Sequence, residues 1–198
     1  MRIIAGLAKG MTLVVPQAGV RPTADRIREA IFSSLGEHVV GAHVLDLFAG
    51  TGALGLEAAS RGAASVTFIE QARGAWECLE KNIRIFERNR GVDCPFTVLR
   101  AAVASQLPKL AAEGETFHLL LADPPYGEAA AELLRDANLP ALLAKDGMFV
   151  LESAKRDALI VAEPWERVRE AVYGDTRVSF FRIKFASAHP DASSGSHG

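Results

Sequence analysis

The stretch DLFAGTGALG, residues Asp46–Gly55, decides the fold of this 198-residue chain. It overlaps a short apolar run, His43–Phe48, and places glycines at Gly50, Gly52 and Gly55, the spacing G-x-G-x-x-G. Glycines at this spacing allow a tight strand-to-helix turn and let the backbone approach a bound nucleoside closely. The stretch therefore predicts the first strand–loop–helix unit of a doubly wound α/β domain.

Strand and helix patterns alternate along the chain after this loop. Further apolar runs predict strands at Ser65–Glu70, Pro95–Leu99, Phe117–Asp123 and, after an Asp146-Gly147 turn, Met148–Glu152. Helical patterns lie between them at Leu54–Arg61, 76–86, 103–110, Ala129–Arg135 and Leu139–Leu143. Such alternation gives right-handed crossovers and a mostly parallel sheet. Glu166–Tyr173 and Arg177–Phe185 flank Gly174-Asp175 and predict a terminal antiparallel hairpin.

The first 40 residues form a separate block in front of this domain. Arg2–Ala5 and Met11–Val15 are expected to pair as a small hairpin through Lys9-Gly10. A helix is expected from near Thr23, with one apolar face formed by Ala24, Ile27, Ile31 and Leu35. Arg26, Arg28 and Glu29 fall on its other faces, partly toward solvent. We therefore predict an extension at 1–40, an α/β domain at 41–186 and a disordered polar tail at 187–198.

Composition excludes several classes of protein. Hydrophobic residues make up 49% of the chain and charged residues 23%, which excludes general disorder. No apolar run reaches the roughly 18–20 residues that a membrane helix needs, and Lys9 and Gly10 interrupt the first apolar stretches, unlike a signal peptide. Cys78 and Cys94 form no C-x-x-C motif, so no disulfide framework or metal site is expected. The expected location is the cytoplasm.

The net charge of −2 hides an asymmetry along the chain. Residues 1–28 hold five basic side chains and one acidic side chain, a net +4, which leaves −6 for the rest. A basic segment on an acidic body is typical of an arm that binds a polyanion, and equally of a solvated charged surface.

Two acidic residues accompany the glycine loop. Glu70 lies 20 residues beyond Gly50, at the end of the second predicted strand, where a carboxylate can accept hydrogen bonds from a ribose diol. This pattern fits both NAD and S-adenosylmethionine. Asp46, four residues before Gly50, favours S-adenosylmethionine, because a carboxylate there would face an ammonium group and would repel a pyrophosphate. Asp46 is also able to cap the loop that follows it.

The fourth predicted strand ends in Asp123-Pro124-Pro125-Tyr126. Two prolines fix the backbone and remove two donors, so this DPPY loop is rigid and presents carbonyls. Asp123 and the Pro124 carbonyl can accept hydrogen bonds from an exocyclic amine of a flat base, and Tyr126 can stack on its ring. Strand four neighbours strand one in a doubly wound sheet, so both loops open on one crevice. A proline turn that merely ends a strand is the alternative.

Taken together, the chain resembles class I S-adenosylmethionine-dependent methyltransferases with a Rossmann-like sheet. It is most similar to the RsmD-type family of bacterial enzymes, which methylate the N2 amine of a guanine in 16S ribosomal RNA. The resemblance covers roughly residues 1–185 and lies in four stretches: RIIAGLAKG at 2–10, RPTADRIREAIFSSL at 21–35, DLFAGTGALGLEAASRGA at 46–63 and DPPY at 123–126. It implies a seven-stranded sheet with a reversed terminal hairpin.

The resemblance also assigns roles to residues. It places S-adenosylmethionine on Asp46, Phe48, Ala49, Gly50, Thr51, Gly52, Glu70, Gln71, Ala102 and Val103. It places the target amine, and so the catalytic role, on Asp123, Pro124, Pro125 and Tyr126. It assigns RNA contacts to Arg2, Lys9, Arg21, Thr23, Arg26 and Arg28, with Arg26 and Arg28 alternatively supporting the site beside Glu29. The chain departs from the family at Ala102, where a polar residue is usual, and at residues 7–12, which are less basic or aromatic.

The expected partner is 16S ribosomal RNA or an assembling small ribosomal subunit, bound by a monomer. Three alternatives stay open at this point. A DNA adenine-N6 methyltransferase also uses DPPY, although the chain leaves little room for a domain that reads base edges. An NAD-dependent oxidoreductase fits the glycine pattern but lacks an evident hydride-transfer partner. A non-catalytic, cofactor-binding RNA module would not need the DPPY loop.

Overall fold

A computed structural model describes residues 1–16, 22–88 and 93–184, with Pro22 and Thr23 described by their backbone alone. Seven strands form one sheet: β1 His43–Leu47, β2 Ser65–Ile69, β3 Phe96–Leu99, β4 Phe117–Ala122, β5 Leu143–Ala154, β6 Trp165–Tyr173 and β7 Thr176–Ile183. Their order is β3-β2-β1-β4-β5-β7-β6, with β1 to β5 parallel and β7 antiparallel to both neighbours. The predicted doubly wound sheet and its terminal hairpin are confirmed.

Five α-helices accompany these strands: α1 Pro22–Leu35, α2 Ala53–Ser60, α3 Arg73–Arg88, α4 Val103–Ala112 and α5 Ala129–Arg135. Two 3₁₀ turns lie at Gly36–Val39 and Leu139–Leu142. The helix boundaries lie within three residues of those that the apolar periodicity predicts. Among the described residues, no helix is long and apolar enough to cross a membrane.

The sheet separates two apolar cores, because successive side chains of a strand point to opposite faces. Val44 and Leu121 belong to the core on the side of α1, α2 and α3, which we call the α1 face. Leu45 and Leu120 belong to the core on the side of α4 and α5. The central strands are buried on both faces, as the continuous apolar run of β4 predicts.

Two local predictions differ from the structure. The predicted turn at Asp146-Gly147 is wrong as a strand boundary, because β5 continues through it from Leu143. The pairing with β4 shifts register there, from Phe117↔Leu143 to Leu119↔Met148, and Asp146 takes a φ of 65°. The extra residues form a bulge in β5. Because an Asp-Gly pair is also typical of a turn, the sequence predicts a turn at this bulge.

The other difference is at the N-terminus. The predicted hairpin is reduced to an isolated bridge between Arg2 and Thr12, flanked by hydrogen bonds from the Ile3 amide to the Met11 carbonyl and from the Leu13 amide to the Met1 carbonyl. The segment stays in place because α2 holds it, as shown below. The predicted tail at 187–198 lies outside the described residues, as does Phe185.

Candidate active site

The glycine loop between β1 and α2 has an unusual backbone. Phe48, the first residue after β1, has a φ of 59°, which is uncommon for a bulky residue and concentrates at functional sites. Gly52 caps α2 with a φ of 82°, and a Cβ there would lie 2.3 Å from Cδ1 of Leu79. Only glycine satisfies both constraints at position 52.

Asp46 divides its two carboxylate oxygens between two environments. Its Oδ2 accepts a hydrogen bond of 2.8 Å from the Gly55 amide in the first turn of α2. Its Oδ1 is buried without a hydrogen-bond partner among the described residues. Burial raises the pKa of Asp46 to about 8, and the nearby charges of Asp123 and Glu70 add to this effect. The predicted capping role and an oxygen free for a cationic ligand are therefore both present.

Glu70, at the end of β2, holds two backbone segments together. Its Oε2 accepts a hydrogen bond of 2.8 Å from the Gly50 amide, and its Oε1 accepts one of 2.7 Å from the Ala72 amide. A carboxylate has about four acceptor positions, so each oxygen keeps capacity for a ribose hydroxyl. Glu70 thus fixes the glycine loop in addition to the ribose contact expected of it.

A cavity of about 240 Å³ lies between these loops at the carboxyl edge of the sheet. It is lined by Phe48, Ile69, Glu70, Gln71, Ala72, Ala101, Val103, Asp123 and Pro125. Phe48, Glu70, Gln71, Val103, Asp123 and Pro125 were predicted for the site from the sequence. Ala102 begins α4 as its N-cap and is not in this lining, whereas its neighbour Ala101 is. Sequence analysis missed Ile69, Ala72 and Ala101, which have no distinctive side chain and are detectable only as neighbours of the motif.

The DPPY loop follows β4 and forms one wall of this cavity. Asp123 and Pro125 line it, Pro124 is buried beneath it, and Tyr126 leaves 59% of its surface exposed. The Asp123 side chain opens toward solvent, yet the surrounding protein excludes enough bulk water to raise the pKa of its carboxyl to about 6. Asp123 is therefore a hydrogen-bond acceptor at the cavity, and the exposed ring of Tyr126 lies in the same loop.

Sequence analysis also missed Glu152, which is near the end of β5. It shares the α1 face with Val150, and burial raises the pKa of its carboxyl well above the usual range. Repulsion from Asp123 and Asp46 adds to this rise, while Arg28 opposes it. Three carboxylates thus influence one another at the ends of β1, β4 and β5. This arrangement suits a cationic ligand such as S-adenosylmethionine, which carries an ammonium and a sulfonium.

Arg28 is not a solvent-facing residue of α1, and its burial favours the supporting role over the RNA contact. It is only 3% exposed. Its Nη2 donates to the Arg2 carbonyl at 2.5 Å and to Oδ1 of Asp25 at 2.9 Å, and its Nε lies 3.6 Å from Oε2 of Glu57. Since Glu57 is fully buried, it requires a cationic partner. Arg28 therefore joins the N-terminal segment to α1 and α2, and its acidic partners are Asp25 and Glu57 rather than Glu29.

The remaining basic residues of the extension are distributed differently. Arg2, Lys9 and Arg26 are exposed and line a cavity of about 380 Å³ with Asp25 and Glu29. Arg21 lies outside the described residues, and so does the side chain of Thr23. Three of the six predicted RNA contacts therefore share one surface.

Comparisons with known proteins find relatives over nearly the whole chain. The profile of a family described as conserved hypothetical protein 95 matches residues 1–182. The ribosomal RNA small subunit methyltransferase D of Escherichia coli K12 is 35% identical over 188 residues, which cover 92% of this chain and 89% of that protein. The protein of the same name in Haemophilus influenzae is 33% identical, with 88% of this chain and 89% of that protein covered.

Solved structures give the same result. A hypothetical protein of Thermus thermophilus superposes with a TM-score of 0.73 at 33% identity, covering 91% of this chain and 98% of that one. A methyltransferase complexed with S-adenosylhomocysteine matches at 14% identity with a TM-score of 0.61, over 83% of this chain and 50% of that one, which supports the fold alone. The NAD-dependent alternative is excluded. The chain is an S-adenosylmethionine-dependent methyltransferase, and it belongs to the family of the ribosomal RNA small subunit methyltransferase D.

Proposed function

We propose that the protein transfers a methyl group from S-adenosylmethionine to the exocyclic N2 amine of a guanine in 16S ribosomal RNA during small-subunit assembly. The observation that carries this proposal is that Asp123 of the DPPY loop lines the same cavity as Glu70, which holds the glycine loop from the end of β2. The relatives named above are methyltransferases of ribosomal RNA by their names, which supports RNA as the substrate.

The site residues fit the cofactor. When bound, S-adenosylmethionine supplies a methyl group on a cationic sulfonium that an amine lone pair can attack. With a pKa of about 8, Asp46 is largely protonated at pH 7 in the free protein, and an ammonium group would favour loss of that proton. The free Oδ1 would then be a buried acceptor for the ammonium group, and that contact compensates the burial of the carboxylate charge. Glu70 holds the ribose hydroxyls, and the apolar side chains of Ile69, Ala72 and Val103 line the cavity that receives the adenosine.

The DPPY loop positions the amine. Asp123 and the Pro124 carbonyl accept the two N–H bonds of the target amine, so that its lone pair points toward the methyl group. Tyr126 stacks on the base, which must leave its helix to reach the loop. A carboxyl with a pKa of about 6 is largely ionised at pH 7, so Asp123 can take the proton that methylation releases. Catalysis relies on positioning and electrostatics.

Residues 1–40 serve as the RNA-binding extension in this proposal, through Arg2, Lys9 and Arg26. These three side chains are exposed and lie on one surface, which a phosphate backbone can follow. The enzyme acts as a monomer in the cytoplasm, where ribosomal subunits assemble in bacteria. Sedimentation of the protein with and without RNA tests the monomer.

The experiment follows labelled methyl from S-adenosylmethionine onto three substrates: naked 16S RNA, unmodified small subunits and duplex DNA. We expect label in N2-methylguanosine of the RNA or of the subunits. The better of these two substrates shows at which stage of subunit assembly the methylation occurs. Label in N6-methyladenine of DNA would replace the proposal by the DNA methyltransferase alternative. Cofactor binding without label on any substrate would instead indicate a non-catalytic module.

A further inference from the structure

A second cavity, of about 510 Å³, adjoins the DPPY loop. Tyr126 forms one wall, and the others are Ala154, Lys155, Arg156 and Asp175. Its volume is about twice that of the cofactor cavity, with which it shares no lining residue. Because Asp123 lines one cavity and Tyr126 the other, the DPPY loop separates the two.

The main chain around this second cavity is tightly held. Lys155 and Arg156 form the turn after β5, and the Lys155 amide donates to the Asp175 carbonyl at 2.7 Å. Arg177 on β7 donates from Nη2 to the Lys155 carbonyl at 2.5 Å and from Nη1 to the Asp157 carbonyl at 2.8 Å. The turn is therefore anchored by main-chain atoms, and its two cationic side chains are free to serve another purpose.

The two cationic side chains at this cavity have no acidic partner among the described residues. Lys155 and Arg156 are exposed, and neither forms an ion pair within residues 1–16, 22–88 and 93–184. Asp175 is the acidic residue of the lining and leaves the wall with a net positive charge. An anion bound here would contact the Lys155–Arg156 side, away from the Asp175 carboxylate.

We propose that this cavity binds the sugar–phosphate backbone of the RNA next to the target nucleotide, with Lys155 and Arg156 holding phosphate oxygens. The inference rests on the proposed function, because it uses RNA as the substrate. Because Tyr126 is part of this wall, a base that leaves its helix to contact Tyr126 brings its own phosphate and that of its neighbour to the same side of the DPPY loop. Lysine and arginine are the side chains that bind such phosphates, the arginine through a bidentate fork.

The test compares the salt dependence of RNA binding for three variants with that of the wild-type protein. K155Q/R156Q removes both cations but keeps the main-chain hydrogen bonds of the turn. K155R/R156K keeps both charges, and K81Q/R88Q removes an equal charge from exposed positions of α3. Binding of a 16S RNA fragment is measured across a series of salt concentrations, together with S-adenosylhomocysteine affinity and thermal unfolding.

We expect K155Q/R156Q to reduce the slope of log K against log salt by about 1.4 to 1.8, because each phosphate contact contributes about 0.7 to 0.9. K155R/R156K and K81Q/R88Q keep the wild-type slope, and all variants keep the cofactor affinity and the unfolding temperature. The KM for RNA rises in K155Q/R156Q alone.

An unchanged slope in K155Q/R156Q would overturn the inference, and so would an equal loss in K81Q/R88Q. The proposed function is judged separately, by the methylated nucleoside that the wild-type protein makes. A wild-type protein that methylates guanine N2 while K155Q/R156Q binds RNA normally refutes only the phosphate site. A wild-type protein that makes no such product refutes the proposed function, and the slope of RNA binding still decides the phosphate site.

Discussion

At the scale of single residues, Asp46 combines a structural and a ligand-binding task on two atoms. Oδ2 accepts the Gly55 amide and so supports the first turn of α2, where a negative charge is also favoured by the helix dipole. Oδ1 has no partner among the described residues, which makes its burial unfavourable until a cation arrives. The sequence could suggest either task, but only the geometry shows that the two do not compete.

We predict that Asp46→Asn weakens S-adenosylmethionine binding by about ten- to a hundredfold, the effect of one lost charged hydrogen bond of about 1.5–3 kcal/mol. Asparagine keeps the acceptor for Gly55 but loses the charge that faces the ammonium. Titration calorimetry measures the affinity, and a Glu77→Gln variant on the exposed part of α3 is the control. Unchanged affinity would show that Asp46 does not contact S-adenosylmethionine.

The same variant is expected to stabilise the protein without ligand at alkaline pH. The pKa of Asp46 rises from 3.8 unfolded to about 8 folded. Its contribution to stability is therefore full below pH 4 and is lost as the pH rises to 8. Urea unfolding at pH 5 and pH 8 should show wild-type stability falling by up to a few kcal/mol and Asp46→Asn falling less. Parallel curves for both proteins would contradict the buried acid.

Asp123 is predicted to set both the rate of methyl transfer and its dependence on pH. Asp123→Ala and Asp123→Asn should lower kcat about 10²- to 10³-fold, the usual effect of removing one positioned electrostatic group. Because the pKa of Asp123 is raised to about 6, wild-type kcat/KM should increase from pH 5 to pH 7. Asp123→Asn should lose this increase.

The control for Asp123 is Glu128→Gln, just beyond the DPPY loop. Glu128 is exposed and its ion pair with Arg135 spans 3.6 Å at the surface, so its loss should cost little. Near-wild-type turnover of Asp123→Ala, or an equal loss in Glu128→Gln, would show that Asp123 does not hold the target amine.

Much of the site was predictable because its chemistry depends on motif residues with distinctive side chains. Asp46, Glu70 and Asp123 come directly from strand ends and meet because parallel strands end at one edge. Arg28 and Glu152 were not predictable in their roles. Arg28 is buried between the Arg2 carbonyl, Asp25 and Glu57, which lies 29 residues later in the chain. Glu152 matters because β5 lies beside β4. Such long-range pairing leaves no local pattern.

At the scale of elements, α2 holds the N-terminal segment through side chains that are buried. Glu57 accepts the Ile4 amide at 2.7 Å and the Ala5 amide at 3.1 Å. The Ser60 hydroxyl oxygen accepts the Ala8 amide at 2.9 Å. These contacts replace the strand ladder that the predicted hairpin would have had. The segment therefore combines a short stretch of its own backbone pairing with hydrogen bonds to α2.

Gly6 is predicted to be the critical residue of this contact. Its φ is +81°, and a Cβ would lie 1.8 Å from the Ser60 carbonyl oxygen. Gly6→Ala should therefore displace the segment from α2. Gly10→Ala is a matched control, because Gly10 has a φ of +86° but no atom within 4 Å of its Cβ position, so it incurs only the cost of the left-handed backbone, about 1–2 kcal/mol.

Urea unfolding measures both variants, and we expect Gly6→Ala to lose clearly more stability than Gly10→Ala. Equal losses would mean that the contact with Ser60 adds nothing beyond backbone strain. RNA binding should follow the same order, since the segment carries Arg2 and Lys9 of the proposed RNA surface.

At the scale of the whole molecule, one link connects the extension to the glycine loop and another connects it to the end of β5. Asn82 of α3 is fully buried and accepts the Val14 amide at 2.7 Å while donating to the Val14 and Thr51 carbonyls at 2.9 Å. Arg28 of α1 influences Glu152 at the end of β5. The extension and the sheet therefore share one core.

The protein and the RNA that it is proposed to bind both carry a net negative charge. With a net charge of −2, binding must depend on local cations. Neutralising Arg2, Lys9 and Arg26 together should reduce the salt slope of RNA binding by about 2 to 2.7, whereas K81Q/R84Q/R88Q on α3 should not. If the extension and the Lys155–Arg156 turn hold different phosphates of one RNA, their slope changes should add in the combined variant. A combined change no larger than either alone would mean that they bind the same phosphates.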